Sequence, residues 1–318
     1  MNPKLSVIVP IWGVEKYIAK CARSLFESSF DDIEYIFVDD CTPDKSIEVL
    51  VAVMEEYPHR KSQSMIIRHE INKGLPQARK TGFEASHGEW ITYCDSDDWV
   101  APDMYFKMLE KADWGGGHNL VCCDFVYLSD AKELWRPTYD EKSDEGQLRK
   151  DLIEGQVSNA VWNKIVKREI YENDFYFPTY SMDEDDVITV QCAYYANRCG
   201  YVHECLYYHY DNPDSMTKKS NPERELRKAK EQLENRKWIV SFLESRNDSS
   251  LVRALFNYKS SVKSLMLQVD PNPYSFKAIY PEINSQMIFE KGFGLKRKIR
   301  NLLLIYFPLL YLLIKRIK

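Results

Sequence analysis

No GxGxxG follows the first strand-like segment, and no GxxxxGK[ST] occurs anywhere in the 318 residues. A glycine cradle for phosphates is thereby excluded, and a diphosphate bound by this chain must be met by a metal ion or by Arg and Lys. Glycine is scarce altogether, at 12 residues. Its one run, Gly115-Gly116-Gly117, falls between a predicted helix and a predicted strand, where it reads as a turn. The eight cysteines (Cys21, Cys41, Cys94, Cys122, Cys123, Cys192, Cys199, Cys205) contain no CxxC pair and no zinc-ligand rhythm. Several sit inside apolar runs, as buried free thiols do. Neither a basic n-region nor an apolar h-region precedes Lys4-Leu-Ser-Val-Ile-Val-Pro10, so the sequence predicts a chain without a secretory leader, in a reducing cytosolic setting. Acids are missing from the last 28 residues, where eight Lys or Arg stand. The formal charge of -5 therefore hides a body of 290 residues at -13 and a tail at +8. An acidic body with a basic, apolar tail argues against a nucleic-acid binder and for contact with a membrane surface, the plainer alternative being a helix packed on its own domain or on a partner subunit.

What is present is an alternation. Residues 4–10, 33–38, 64–68 and 119–128 read as strands. Helical spacing of apolar residues marks 15–29, 45–57, 76–86 and 103–112. Pro76 stands near the start of its helix, where a missing N–H costs little. Strand–helix alternation over about 125 residues implies an α/β fold, a mostly parallel sheet with helices on both faces. In such sheets ligands bind beyond the carboxyl ends of the strands. Asp39-Asp40 and Asp95-Ser96-Asp97 both fall at those ends.

The second of these is the centre of the chain. Trp90-Ile-Thr-Tyr-Cys94 has the composition of a buried strand, and three carboxylates follow at 95, 97 and 98. Like charges emerging from a core cost free energy unless a cation or hydrogen-bond donors compensate. On an extended backbone Asp95 and Asp97 point to one side, so both can approach one hard divalent ion. Asp and Ser also favour a solvated turn, which is the plainer alternative.

Ser6-Val-Ile-Val-Pro10, Val38-Asp39-Asp40, Asn72-Lys73-Gly74 with Ala78-Arg79 and Gly82, and Asp95-Ser96-Asp97-Asp98 together resemble the family-2 glycosyltransferases of GT-A fold. The resemblance covers about 100 residues, with four motifs in order. It implies a nucleotide-diphosphate sugar donor (a UDP-sugar favoured), a divalent Mn²⁺ or Mg²⁺, and inversion at the anomeric carbon. Position by position, it implies that Pro10 and Trp12 line the base pocket and that Asp40 accepts from the base. Asp95 lies near the ribose, Arg79 and Ser96 belong to the donor site, and Asp97 holds the metal on the diphosphate. The usual Gly after the strand-2 aspartates is Cys41 here, and the usual Asn after Ala-Arg is Lys80. Further on, Val161-Trp-Asn-Lys-Ile-Val-Lys-Arg168 is similar to the family's Trp-Asn-Lys segment, though its pattern also suits an amphipathic surface helix. Met182-Asp-Glu-Asp-Asp-Val-Ile188 resembles the Glu-Asp pair that opens a helix beneath the acceptor site, which implies Asp185 as catalytic base. Asp183 and Asp186 are the alternative registers. Tyr207-Tyr-His-Tyr210, followed by Ser215-Met-Thr217, resembles the strand and loop that close the site, with His209 reaching the metal or diphosphate.

Beyond about Asn221 the resemblance fades. Leu226, Leu233, Val240 and Leu243 make one helical stripe and 251–269 another, both read as core or as contacts of a homo-oligomer. Leu302 to Ile314 is apolar on every side but broken by Pro308, and is shorter than the ~20 residues of a spanning helix. Basic clusters flank it, which predicts a monotopic or re-entrant anchor on the cytoplasmic leaflet. The expected domains are a transferase domain at 1–220 (donor half 1–128, acceptor half 129–220), a helical extension at 221–290 and the tail at 291–318. The expected acceptor is a hydroxyl of a saccharide or lipid-linked saccharide in surface-polysaccharide assembly. Two rivals exist. A haloacid-dehalogenase-type phosphotransferase would use Asp95 and Asp97 with Lys164 and Asp185-Asp186, but its Asp strand normally comes first in the chain, and Trp99 replaces a small hydroxyl residue. An inactive membrane-bound adaptor on the same scaffold would not need intact carboxylates at every motif.

Overall fold

The computed structural model describes residues 2–113, 117–129, 132–136, 145–213, 215 and 221–317. Gly115, Gly116, Met216 and Thr217, named above for a turn and a closing loop, lie outside the described residues. The chain divides into two compact units, Met1–Lys219 and Ser220–Lys318.

The first unit is built on strand β1 (Leu5–Ile11), whose seven residues are all buried. Burial on both faces is what an unbroken apolar run without alternation encodes. β2 (Ile33–Asp39) and β4 (Trp90–Tyr93) pair with it in parallel on either side, and β3 (Ser64–Arg68) extends the sheet beyond β2. The pairing with β4 ends at Ile8 opposite Tyr93. Pro10 therefore stands past the end of that neighbour, where its missing N–H breaks no ladder bond. Helices α1 (Ile18–Phe26), α2 (Ser46–Glu56) with the short α3 (Pro58–Ser62), and α4 (Leu75–Ala85) make the crossovers. α1 buries Ile18, Cys21, Ala22, Leu25 and Phe26, one face of a helix. α4 lies close on the sheet: a Cβ at Gly82 would come within 2.3 Å of Ile8 Cγ2. The parallel half thus leaves the carboxyl ends of β1, β2, β3 and β4 along one edge.

Past β4 the pattern changes. Two-residue β5 (Trp99–Val100) and α5 (Met104–Asp113) lead to β6 (Leu120–Ser129), which pairs with β7 (Lys132–Arg136). After α6 (Glu145–Glu154), β8 (Lys164–Lys167) inserts between β4 and β6, antiparallel to both. The Trp-Asn-Lys segment is therefore no surface helix but the entry to a central strand. α7 (Glu184–Tyr195) precedes β9 (Cys199–Tyr210), which runs parallel to β6 through a register shift at Asp124. That irregularity re-aims the second half of β9 so that it also pairs with β5. Among the described residues the sheet order is β3-β2-β1-β4-β8-β6-β9-β5. All eight cysteines are free, and six of them are buried.

The second unit is helical: α8 (Pro222–Ser245), α9 (Val252–Val269), α10 (Pro273–Ala278), α11 (Asn284–Phe289), α12 (Leu295–Tyr306) and α13 (Pro308–Ile317). Phe256, Phe276, Ile283, Met287, Leu304 and Ile305 form a core within it. Part of the apolar run at 302–314 is thus internal. Among the described residues, no helix is long and apolar enough to cross a membrane.

Candidate functional site

The strand ends gather the sequence-predicted residues in two groups, joined by one arginine. At the end of β2, Asp39 pairs with Arg68 at 2.6 Å and accepts from the Thr42 amide. Asp40, buried at 3% exposure, accepts from the amides of Lys73 and Gly74, both at 2.8 Å, and its Oδ1 is 2.7 Å from His69 Nδ1. Its carboxylate therefore holds the Asn72-Lys73-Gly74 loop at the start of α4, and a nucleobase would compete for lone pairs already in use. Pro10 is buried, whereas Trp12 stands 45% exposed just past β1. Beside it, the Gly13 amide donates to Thr42 Oγ1.

Cys41 adopts φ +56°, the left-handed region that favours glycine. This explains why the resembling family has Gly there. Cys41→Gly is expected to stabilise the protein by up to about 1 kcal/mol, the relief of left-handed strain less the added chain entropy. Chemical denaturation of the two proteins measures it. The other departure is harmless, since Lys80 faces solvent and pairs with Glu84 at 3.3 Å.

Residues 95–98 are a turn, with the Asp98 amide donating to the Asp95 carbonyl at 3.0 Å. The extended backbone that would set Asp95 and Asp97 side by side is absent, and the two carboxylates take different partners. Asp95 accepts from Arg79 Nη2 at 2.9 Å. Asp97 accepts only from Asn212 Nδ2, at 2.9 Å, and among the described residues it has no cation partner. Ser96 is buried within the turn.

Asp98, to which the sequence pattern assigns no role, anchors this turn. It is fully buried and accepts from the Tyr207 hydroxyl at 2.7 Å and the Tyr210 amide at 2.7 Å. His209 Nδ1 lies 3.1 Å from it. The same Tyr207 hydroxyl receives the Asp95 amide at 3.1 Å. Tyr207 and His209 are two apart on β9 and so share a face. Trp162 lies flat against both rings, with centroids 4.3 and 5.4 Å away. The neighbouring Lys164 is buried and donates to the carbonyls of Ser158 and Ala160 and to Asn163 Oδ1, which fixes the loop carrying Trp162. Trp-Asn-Lys is thus a platform and its clamp. Burial by itself would lower the His209 imidazolium, but the hydrogen bond and charge of Asp98 outweigh it and raise it to about 9, while burial, opposed by His209, raises the Asp98 carboxyl to about 7. Asp98 takes Nδ1, which leaves Nε2 as the ring nitrogen turned to other partners.

Arg79, buried at 0% exposure, joins the groups. It projects from α4, and its Nη1 donates to Glu184 at 2.7 Å and Asp185 at 2.5 Å, both in the first turn of α7. Three carboxylates thus surround one guanidinium. Its side chain is enclosed at 1% exposure, so it reaches the strand-end groups only through the carboxylates that it pairs with. Of the four acids at 183–186, Glu184 and Asp185 pair with Arg79, while Asp183 takes the left-handed N-cap position at φ +62°. Asp185 Oδ2 has no hydrogen-bond partner among the described residues, and the side chain is 27% exposed. Burial raises the Asp185 carboxyl above the usual range, with Arg79 opposing and Asp95 adding to the rise. Glu184 is pushed further up by burial and by the charge of Asp185.

Among the described residues, no three His, Cys, Asp or Glu side chains come together as a metal cage. A single hard carboxylate without a cation partner, Asp97, nonetheless fits Mg²⁺ or Mn²⁺, ions that are commonly held by one or two carboxylates plus substrate phosphates.

The family model described as glycosyl transferase family 2 matches residues 6–175. The glycosyltransferase EpsJ of Bacillus subtilis (strain 168) is 32% identical over 227 residues, 68% of this chain and 64% of that relative. The chain thus spans a little under two thirds of the length of this relative. Among solved structures, Staphylococcus aureus TarS 1–349 superposes with a TM-score of 0.70 at 18% identity, covering 99% of this chain and 92% of that one. Its complex with UDP-GlcNAc gives 0.60 at 18% identity, covering 94% and 89%. The mannosyltransferase PcManGT from Pyrobaculum calidifontis, in complex with GDP-Man and Mn²⁺, gives 0.57 at 14% identity, covering 100% and 87%.

Proposed function

The chain belongs to glycosyl transferase family 2 and has the GT-A fold, and from that premise we propose that it transfers a sugar, with inversion, from a nucleotide-diphosphate sugar to a hydroxyl of a saccharide or lipid-linked saccharide in surface-polysaccharide synthesis. The observation that carries this reading is Asp185: one oxygen fixed by Arg79, the other open, and the acid weakened by burial. An alcohol is a poor nucleophile at neutral pH, and a carboxylate within reach takes its proton as the new bond forms. Raising the carboxyl toward neutrality makes it a better base for that step. A single displacement from the opposite face then inverts the anomeric carbon.

On the donor side, Trp12 offers an exposed ring to the base, and Asp95 is held by Arg79 where the ribose is expected. The UDP-GlcNAc bound by TarS supports a UDP-sugar here. Asp97 would hold Mn²⁺ or Mg²⁺, which when bound to the diphosphate stabilises the charge developing on the leaving group. We assign His209 to the same leaving group as a cation rather than to the metal. The buried Lys164, fully engaged by carbonyls and an amide, and the turn at 95–98 speak against the phosphotransferase alternative. The proposal places the protein at the cytoplasmic face of the cell membrane, attached through its C-terminal segment, where a lipid-linked acceptor would be within reach.

Thermal stabilisation by UDP-, GDP- and ADP-sugars, each with and without Mn²⁺, tests the donor. Stabilisation by one UDP-sugar that needs Mn²⁺ is expected. Asp97→Asn should reduce donor affinity in Mn²⁺ to that seen in EDTA. An Asp97→Asn protein that keeps the full Mn²⁺ effect would refute the metal assignment.

A further inference from the structure

One face of α12 is left open within the helical unit. Leu295, Ile299, Leu302 and Tyr306 recur at steps of four, three and four, which on an α-helix is a single stripe. They are exposed at 74, 49, 38 and 53%. The other side of the helix is inside: Leu304 and Ile305 belong to the core, and buried Asn301 donates to the Met287 carbonyl at 3.1 Å. The helix is therefore fixed, with the stripe outward. A contiguous row of large apolar side chains in water marks a surface that something covers.

The flanks of the stripe indicate what covers it. On the helical wheel Lys298 borders the stripe on one side, and Lys296 and Arg300 border it on the other. α12 itself contains no acid, and among the described residues only Lys298 of these three feels a nearby carboxylate, Glu290. Lys296 and Arg300 on the second flank, with Arg297 on the adjoining core side of the helix, line an open groove of 650 Å³ together with Asn257, Ser261 and Ser264 of α9. Arg297 packs its guanidinium on Phe293 at 3.5 Å, and its Nε is buried without a hydrogen-bond partner. Three cations beside the Ser261 hydroxyl, with no acid lining the groove, are a donor set suited to phosphate oxygens; the Ser264 hydroxyl already donates to the Ser260 carbonyl at 2.9 Å. A second copy of this chain would bring like charges together on both flanks, which disfavours it as the occupant. α13 also exposes Leu309 and Leu313, but its cations lie only in its last turn.

From this arrangement we infer that α12 lies in the plane of an anionic bilayer. The stripe enters the acyl boundary, the cations on both flanks meet headgroup phosphates, and the α9–α12 groove seats one lipid phosphate. The inference rests on the reading that the C-terminal segment attaches the protein to a membrane, and narrows it to one helix face and one groove.

Co-sedimentation of the full-length protein with vesicles tests it, using phosphatidylcholine alone and phosphatidylcholine with phosphatidylglycerol. The wild type is expected to prefer the anionic vesicles. Lys296→Gln and Arg300→Gln should each reduce that preference about fivefold, and added salt should mimic them. Ile299→Glu with Tyr306→Glu should lower binding by at least about tenfold, since exposed apolar area is lost and acid is gained. Ser261→Glu, which sets an acid in the groove, should weaken anionic binding without touching the stripe. Circular dichroism melts establish that each variant is folded. If the stripe variant binds like wild type while Leu309→Glu with Leu313→Glu does not, attachment stands and the α12 face is wrong. If Ser261→Glu alone is silent, the phosphate seat is wrong. Wild-type protein that binds neither vesicle overturns attachment itself and the inference with it. A wild-type dimer in light scattering that the stripe variant dissolves would make a second copy the occupant and overturn the inference.

Discussion

Asp185→Asn is expected to lower transfer to the acceptor by roughly 10²–10⁴ while donor affinity stays nearly unchanged. The amide keeps an oxygen for Arg79 but cannot take a proton from an incoming hydroxyl. Because Asp97 and Asp95 are untouched, the loss should fall on turnover and not on the donor KM. Stability should move the other way. Three carboxylates share one cation in this network, and burial raises the Asp185 carboxyl. A carboxylate whose folded pKa is raised is a stabilising partner only while protonated. Above the usual carboxylate range its ionisation opposes folding. Replacing it with a neutral amide should therefore leave the protein at least as stable at pH 7–8. Loss of function with retained or increased melting temperature is the signature of a group kept for chemistry. If Asp185→Asn transfers normally while Asp183→Asn or Asp186→Asn does not, the base has been assigned one register away. Silence from all three would remove the base from this helix.

The parallel half of the sheet was legible because its code is local. Seven buried residues in β1 and the one-sided faces of α1 and α2 announce themselves through composition and period. The motifs at 39–40 and 95–97 could be placed at strand ends for the same reason. Their partnerships could not. That Asp40 clamps the Lys73 and Gly74 amides, and that Arg79 reaches Glu184 105 positions away, depends on chain crossovers that no local pattern encodes. The second half was less legible still. β8 is four residues long and contains two lysines, so it carries no strand signal of its own and is a strand only because β4 and β6 pair with it. Asp98 directly follows the Asp95-Ser96-Asp97 triplet, and nothing in the local pattern marks it as the buried anchor of the turn. The alternation of Tyr207 and His209 was a usable sign that one face of β9 carries polar groups toward something buried.

Arg79 connects the two halves, and its removal should have the other large effect. Arg79→Met keeps much of the side-chain volume but leaves Asp95, Glu184 and Asp185 around a site with no cation. Breaking a buried pair in this way costs about 3–5 kcal/mol. The cost should depend on pH with a definite sign. Without the guanidinium, the carboxyls of Glu184 and Asp185, already raised by burial, rise further. The folded state then binds more protons than the unfolded state above the usual carboxylate range, so stability falls as pH increases. The variant should lie nearest to wild type at about pH 4–5 and furthest from it at pH 8, by the ordinary carboxylate values. Arg79→Lys should recover only part of the loss, since one ammonium cannot hold three carboxylates in a planar fork. In transfer assays the acid limb of the rate profile should shift upward in Arg79→Met, because Asp185 must be ionised to act as base and the cation that favours ionisation is gone. Denaturation midpoints from pH 5 to 8, set beside the rate profile over the same range, decide it. A pH-independent loss of stability with an unshifted acid limb would make Arg79 a packing residue and detach the donor side from the base.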